Sequence, residues 1–126
     1  MDFLFLLGRV LFGGYFIMNG YNHLKNISGM AGYAQSKNVP YAKAAIIITG
    51  ILLVLGGTGI VLGLYPRMAI VLLLIFLIPV TFKMHQYWKV QDPMQKMGEQ
   101  INFMKNIALI GASIILLCVT AWPLSL

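Results

Sequence analysis

The sequence predicts an all-α protein, a bundle of four transmembrane helices. Three observations lead there. Of its 126 residues, 60% are hydrophobic and only 10% are charged. Mean hydropathy is +0.84. The apolar residues gather in blocks long enough to cross a bilayer, and the charged ones lie between or at the ends of those blocks. Soluble domains carry about 25% charged and roughly 45–50% apolar residues, and a domain this small leaves much of its surface exposed. Lipid is the solvent that such a chain fits.

An α-helix rises about 1.5 Å per residue, so roughly 20 apolar residues cross a hydrocarbon core of about 30 Å. Phe3 to His23 forms the first block and Tyr41 to Leu64 the second, with Lys43 at its mouth. Tyr65-Pro66 makes a tight connection to the third, Arg67 to about Met84, and Asn102 to Trp122 forms the fourth. Tyr21, Tyr41, Tyr65, Tyr87, Trp88 and Trp122 stand near block ends, where amphipathic rings sit at headgroup level. The N-terminus reads as a retained first span rather than a signal peptide: Asp2 replaces a basic n-region, Arg9 interrupts the apolar run and no A-x-A site follows. No repeat, low-complexity tract or domain boundary divides residues 1–126, which form one domain.

Between spans one and two, Ile27, Met30, Tyr33 and Ala34 fall at helical spacing until Asn38-Val39-Pro40 ends the pattern. A short amphipathic interfacial helix is expected there. Met94, Met97 and Ile101 suggest a weaker version in the second long loop.

The net charge is +6. Nucleic acid would need a basic face on a soluble domain, whereas these cations lie between apolar blocks, where they meet lipid headgroups or orient the chain. Lys25, Lys37, Lys43, Lys83, Lys89, Lys96 and Lys105 lie on the side of the two long loops, and Arg9 and Arg67 on the other. The positive-inside rule therefore puts the long loops in the cytoplasm and both termini outside. Cys118 is the single cysteine, which excludes an intrachain disulfide, a CxxC pair and a cysteine-based zinc site.

Polar groups inside a span are costly and usually face the bundle interior. In span one, Arg9, Gly13, Phe16, Gly20 and His23 follow three- and four-residue steps with Asn19 beside them. Arg9, the one charge within that span, reads as an architectural anchor or a ligand-binding group. Span three sets Ile78, Thr81, His85 and Trp88 on one stripe after a kink-forming Pro79, and span four sets Asn102, Asn106, Leu109 or Ile110, and Ser113. These stripes meet at the long-loop end, where His23, His85, Trp88, Asn19, Asn102, Lys105 and Asn106 form a candidate pocket for a polar headgroup, a quinone carbonyl or an anionic ligand. The alternative is plain interface chemistry, since such residues suit the headgroup zone anyway. Two imidazoles on different helices could ligate haem, which is not the expected occupant. A metal would need Asp92 or Glu99, both in a loop, and none is expected. No nucleophile–base constellation, phosphate loop or carboxylate pair is present, so a self-sufficient enzyme is not expected. In span two, Gly50, Gly56, Gly57, Gly59 and Gly63 include a Gly59-xxx-Gly63 pair that lets helices approach closely, within the bundle or between copies in a homo-oligomer.

These motifs, in this order, resemble the DoxX family of small membrane proteins: Gly8-Arg9, Gly13 and Asn19-Gly20 with Lys25, Asn38-Val39-Pro40, and Gly56-Gly57 followed by Leu62-Gly63-Leu64-Tyr65-Pro66-Arg67. Ile78-Pro79-Val80-Thr81, His85-Gln86-Tyr87-Trp88 and Asn102-Phe103-Met104-Lys105-Asn106 are similar to the branch with His-x-aromatic-Trp and Phe-x-Lys-Asn motifs. The resemblance implies a four-helix bundle in a bacterial cytoplasmic membrane. It also implies a link to membrane redox systems, as an accessory or ligand-binding subunit of a quinone-linked or oxidative-stress complex, with quinone or lipid as ligand. Many members carry a Glu in span two where Leu53 stands here, so a proton or cation role tied to that carboxylate does not carry over. A small-solute transporter component and a membrane chaperone or assembly scaffold are the competing expectations.

Overall fold

The computed structural model describes all residues, Met1–Leu126, and is entirely helical. Helices α1 (Asp2–Lys25), α2 (Ile27–Ser36), α3 (Ala42–Leu62), α4 (Pro66–Met84) and α5 (Pro93–Leu117) follow one another, with a short 3-10 turn at Tyr87–Lys89 before α5. Four of them, α1, α3, α4 and α5, are long and apolar enough to cross a membrane. Long exposed apolar side chains such as Leu11, Ile51, Ile75 and Ile115 cover their outer faces, the pattern of a bundle whose exterior is lipid.

The first three spans lie where the hydropathy blocks put them. The fourth does not: it begins nine positions before Asn102 and stops before Trp122. Asp92-Pro93 causes the early start, because the Asp92 carboxylate accepts from the Gln95 backbone N–H at 3.3 Å and Pro93 occupies the first turn, where its missing N–H costs nothing. Met94, Met97 and Ile101 therefore belong to α5 itself rather than to a separate helix. The second loop shrinks to a few residues around the 3-10 turn.

A ten-residue helix, α2, does form after span one, but the expected amphipathic interfacial helix is not supported. Its buried residues are two alanines, Ala31 and Ala34, and it packs onto α3 at the bundle's long-loop end.

The α3–α4 hairpin turns on local backbone chemistry. Gly63 ends α3 at φ +70° and Tyr65 enters α4 at φ 44° with Pro66 at its first position. Gly63 thus serves the turn and Gly59 lets α4 approach at Ala69, so the Gly59–Gly63 pair works within the bundle, at the hairpin. A longer seam lies elsewhere. A Cβ on Gly13 would stand 2.6 Å from the Gly57 carbonyl oxygen, one on Gly57 2.5 Å from the Gly13 oxygen, and one on Gly20 2.7 Å from the Gly50 oxygen. Helices α1 and α3 touch backbone to backbone, as small residues allow in lipid.

Helix α4 packs on another face of α3, where Gly56 admits Leu73, and α5 packs on α4. Helices α1 and α5 are not closely packed against each other. Two apolar clusters fill the bundle. The larger, around Phe16, Leu53, Ile60, Ile70, Leu73 and Leu77, occupies the middle and the hairpin end. The smaller, around Ala31, Ala34, Ala42, Ile46 and Met84, seals the long-loop end.

Substituting Gly57 by Leu should separate α1 from α3, lowering the thermal midpoint in detergent by the equivalent of about 1–3 kcal/mol or more. Gly14→Ala, at a position where a Cβ meets nothing within 4 Å, should leave that midpoint unchanged or raise it. Equal effects at the two positions would contradict the seam.

Candidate functional site

Arg9 is 2% exposed and makes four hydrogen bonds, all to backbone carbonyls. Its Nε donates to the Ile60 carbonyl at 3.1 Å, and its Nη2 donates to Val61 at 2.9 Å and Leu124 at 3.3 Å; Nη1 donates to the Pro123 carbonyl. The last carbonyls of a helix have no partner within it, and in a bilayer an unpaired one is expensive. Gly59 O accepts from Gly63 N–H and Leu64 N–H, Arg9 takes Ile60 and Val61, and Leu62 O accepts from Leu126 N–H. Every orphan carbonyl at the end of α3 is thereby satisfied. The guanidinium also lies 5.6 Å from the Phe5 ring centre and 5.7 Å from that of Trp122. Of the two readings of Arg9, the geometry is that of an anchor: it ties α1, the end of α3 and the C-terminal segment together.

The long-loop half is different. Between the two apolar clusters lies a cavity of about 570 Å³. His23, His85, Asn19, Asn102, Lys105 and Asn106 all line it. Trp88 does not. Helix α4 stops at Met84, so the stripe expected to run from Thr81 through His85 to Trp88 breaks; His85 caps the helix and Trp88 swings onto the 3-10 turn. There it is half exposed and meets Tyr87 and Phe103 edge-on at 5.3 and 5.6 Å. Ile78, expected on the same stripe, faces outward.

The cavity wall is mostly apolar: Phe16, Leu52 and Leu109 line it, as do Ile48 and Ile75, which are 57% and 54% exposed. The lumen is therefore continuous with the outer surface of the spans. Its polar lining consists of amides, imidazoles, Lys83, Lys105, Thr49 and Tyr hydroxyls, with no carboxylate. His23 holds Asn19 O through Nδ1 at 2.8 Å and meets Phe76 edge-on at 5.7 Å. Lys105 stretches over the Tyr15 ring at 5.6 Å. Thr49, Thr81 and Ser113 each donate to a carbonyl one turn back on their own helix.

Glu99 was not among the expected site residues, yet it organises the cavity's loop-side wall. Tyr33 Oη donates to Glu99 Oε1 at 2.8 Å, Lys37 Nζ lies 3.2 Å from Oε2, and His85 Nδ1 lies 3.5 Å from Oε2. Burial, and then the carboxylate beside it, push the Tyr33 phenol above its usual pKa, keeping it a donor. These contacts tie α2 to α5 and to the end of α4. Tyr33 and Asn102 also line a second, outer pocket that Glu99 and Lys37 share, so this wall is one side chain thick. The signal was legible: counted from Pro93, Glu99 precedes Asn102 and Asn106 in three- and four-residue steps. Hydropathy alone leaves Glu99 in a loop, outside that stripe. Leu53, at the position where the resemblance implies a Glu in many members, is fully buried in the larger cluster.

A family model described as DoxX matches residues 4–86, covering the first three spans. A curated relative, described as "Inner membrane protein YphA" of Escherichia coli (strain K12), is 29% identical over 114 residues, which is 90% of this chain and 80% of the relative. No solved structure matches the chain significantly. Helix α5, which supplies Glu99, Asn102 and Asn106, lies beyond the family-matched segment but mostly within the length compared with the relative.

Removing the Glu99 carboxylate should free α2. Each lost contact contributes about 1 kcal/mol, so Glu99→Ala should speed amide exchange across residues 27–36 roughly fivefold or more while leaving residues 46–60 unchanged. Unchanged exchange in α2 would show that the tie contributes nothing.

Proposed function

The chain belongs to the DoxX family of membrane proteins, and on that premise we propose that it is a ligand-binding accessory subunit of a quinone-linked redox or oxidative-stress system. The observation that carries this reading is the cavity: apolar along most of its wall, polar at its long-loop end and continuous with the lipid-facing surface. Those are the features of a site for a membrane-resident amphiphile, with a tail held by Leu52, Leu109 and Ile75 and a head among His23, Asn106 and His85. Quinones and lipids both have that form.

The protein's own groups supply binding and orientation. Asn106 and Asn102 donate to and accept from a head group, and Lys83 and Lys105 hold partial negative charge on it. On this reading the protein holds and orients the head group, and electron transfer is the work of a partner in the same membrane. A solute transporter is less well supported: the hydroxyls within the spans turn back on their own helices, leaving no polar file across the bundle. The likeness to an inner membrane protein and the four apolar helices support a multi-pass position in the bacterial inner membrane. The excess of Lys on the long-loop side supports an orientation with the cavity's polar end in the cytoplasm and both termini outside.

Protein purified in mild detergent should carry quinone or lipid detectable by native mass spectrometry. Decylubiquinone at about one hundred times its Kd should stabilise the fold by about 2.7 kcal/mol, and His85→Ala or Asn106→Ala should remove most of that gain. A protein that retains no amphiphile and melts at the same temperature with and without decylubiquinone would overturn the reading.

A further inference from the structure

Two largely buried side chains line the cavity and present to it hydrogen-bonding atoms that the protein leaves free. His23 is 6% exposed and Asn106 is 5% exposed. The Nδ1 of His23 sits 2.8 Å from the Asn19 carbonyl oxygen; a carbonyl only accepts, so Nδ1 carries the proton. A second proton would place a cation in a mostly apolar enclosure lined by Lys83 and Lys105 and by no carboxylate, and such a charge is costly to bury. The ring is neutral, and its Nε2 is an acceptor to which nothing in the protein donates. The Asn106 amide, brought to the same cavity by α5, makes no side-chain hydrogen bond. Neither group is among the enclosed side-chain atoms that lack a hydrogen-bond partner, which are His85 Nδ1 and Glu99 Oε2; both therefore open to the lumen, where a head group can complete their hydrogen bonds.

We infer that the cavity recognises a hydroxyl-bearing head and that, on the quinone reading above, it takes the quinol in preference to the quinone. A hydroxyl can donate to His23 Nε2 while accepting from the Asn106 Nδ2–H. A quinone carbonyl only accepts: it satisfies Asn106 but meets Nε2 lone pair to lone pair. Sites built around a buried hydrogen-bonding group reject the analogue that cannot complete the bond. The Asn19 carbonyl is therefore a selectivity element without touching the ligand, because it fixes which nitrogen of His23 is bare. The inference rests on the proposed binding of quinones, and the two can fail separately.

The test is binding of decylubiquinol and decylubiquinone to the intact protein in phosphatidylcholine nanodiscs, whose lipid heads carry no hydroxyl, under conditions holding each in its redox state. The quinol should bind roughly tenfold more tightly, the effect of one hydrogen bond gained. His23→Leu should bring the two forms to equal affinity, whereas Asn106→Leu should weaken both and keep the preference. Equal affinities in the unaltered protein, or tighter quinone, would overturn the inference and leave the binding reading standing. Failure of both forms to bind would overturn both. Loss of quinol binding in phosphatidylglycerol nanodiscs, whose heads do carry hydroxyls, would assign the hydroxyl to lipid and overturn the quinol assignment.

Discussion

The backbone contact between α1 and α3 constrains everything else in this bundle. Gly13 against Gly57 and Gly20 against Gly50 bring the two helices closer than any side chain would allow. Helix α3 gives another face to α4 through Gly56 and Gly59, and α4 in turn holds α5. In lipid there is no hydrophobic drive to close a remaining gap, because tails are as apolar as leucine. The α1–α5 side consequently need not collapse, and its long-loop half stays open.

That side is bridged at its two ends, by chemistry of different kinds. At the hairpin end, Arg9 completes the hydrogen bonds of α3 and draws in the C-terminal segment, with Phe5 and Trp122 stacked edge-on at 5.3 Å beside it. At the other end, Glu99 joins Tyr33, Lys37 and His85, so that α2 and α5 close the lumen from the loop side. One bridge is a cation satisfying backbone carbonyls; the other is an anion gathering side chains. The cavity is what remains between them, and six of the seven residues expected from sequence to share a site line it.

Much of this was legible in the chain. The stripe Arg9, Gly13, Phe16, Gly20 and His23 is the buried face of α1, because a span in lipid turns its polar and small residues inward and the helical period does the rest. Asn106 and Ser113 are the buried residues of α5 for the same reason. What failed was continuity at helix ends. His85 and Trp88 share a stripe with Thr81 only if α4 continues, and it stops at Met84. Glu99 lies in a loop only if α5 waits for its apolar block, yet the Asp92-Pro93 cap starts it sooner. Hydropathy marks where a helix enters lipid, and capping chemistry marks where it begins. The glycine seam was half visible: span two carries five glycines, but which of them faces α1 depends on packing that no spacing rule fixes.

The long-loop half of the bundle holds an interior opening, reachable from the bilayer and bounded by α1 and α5. Photolabelling the unmodified protein in its membrane with a lipid that carries a diazirine on its acyl chain, then locating the adducts by mass spectrometry, tests it most directly. Adducts at inward-facing Leu52 and Leu109, alongside those at outward Ile107, Ile114 and Ile115, are the expected result. Labelling confined to the outward residues, with Leu52 and Leu109 untouched, would show that this half is closed to the bilayer.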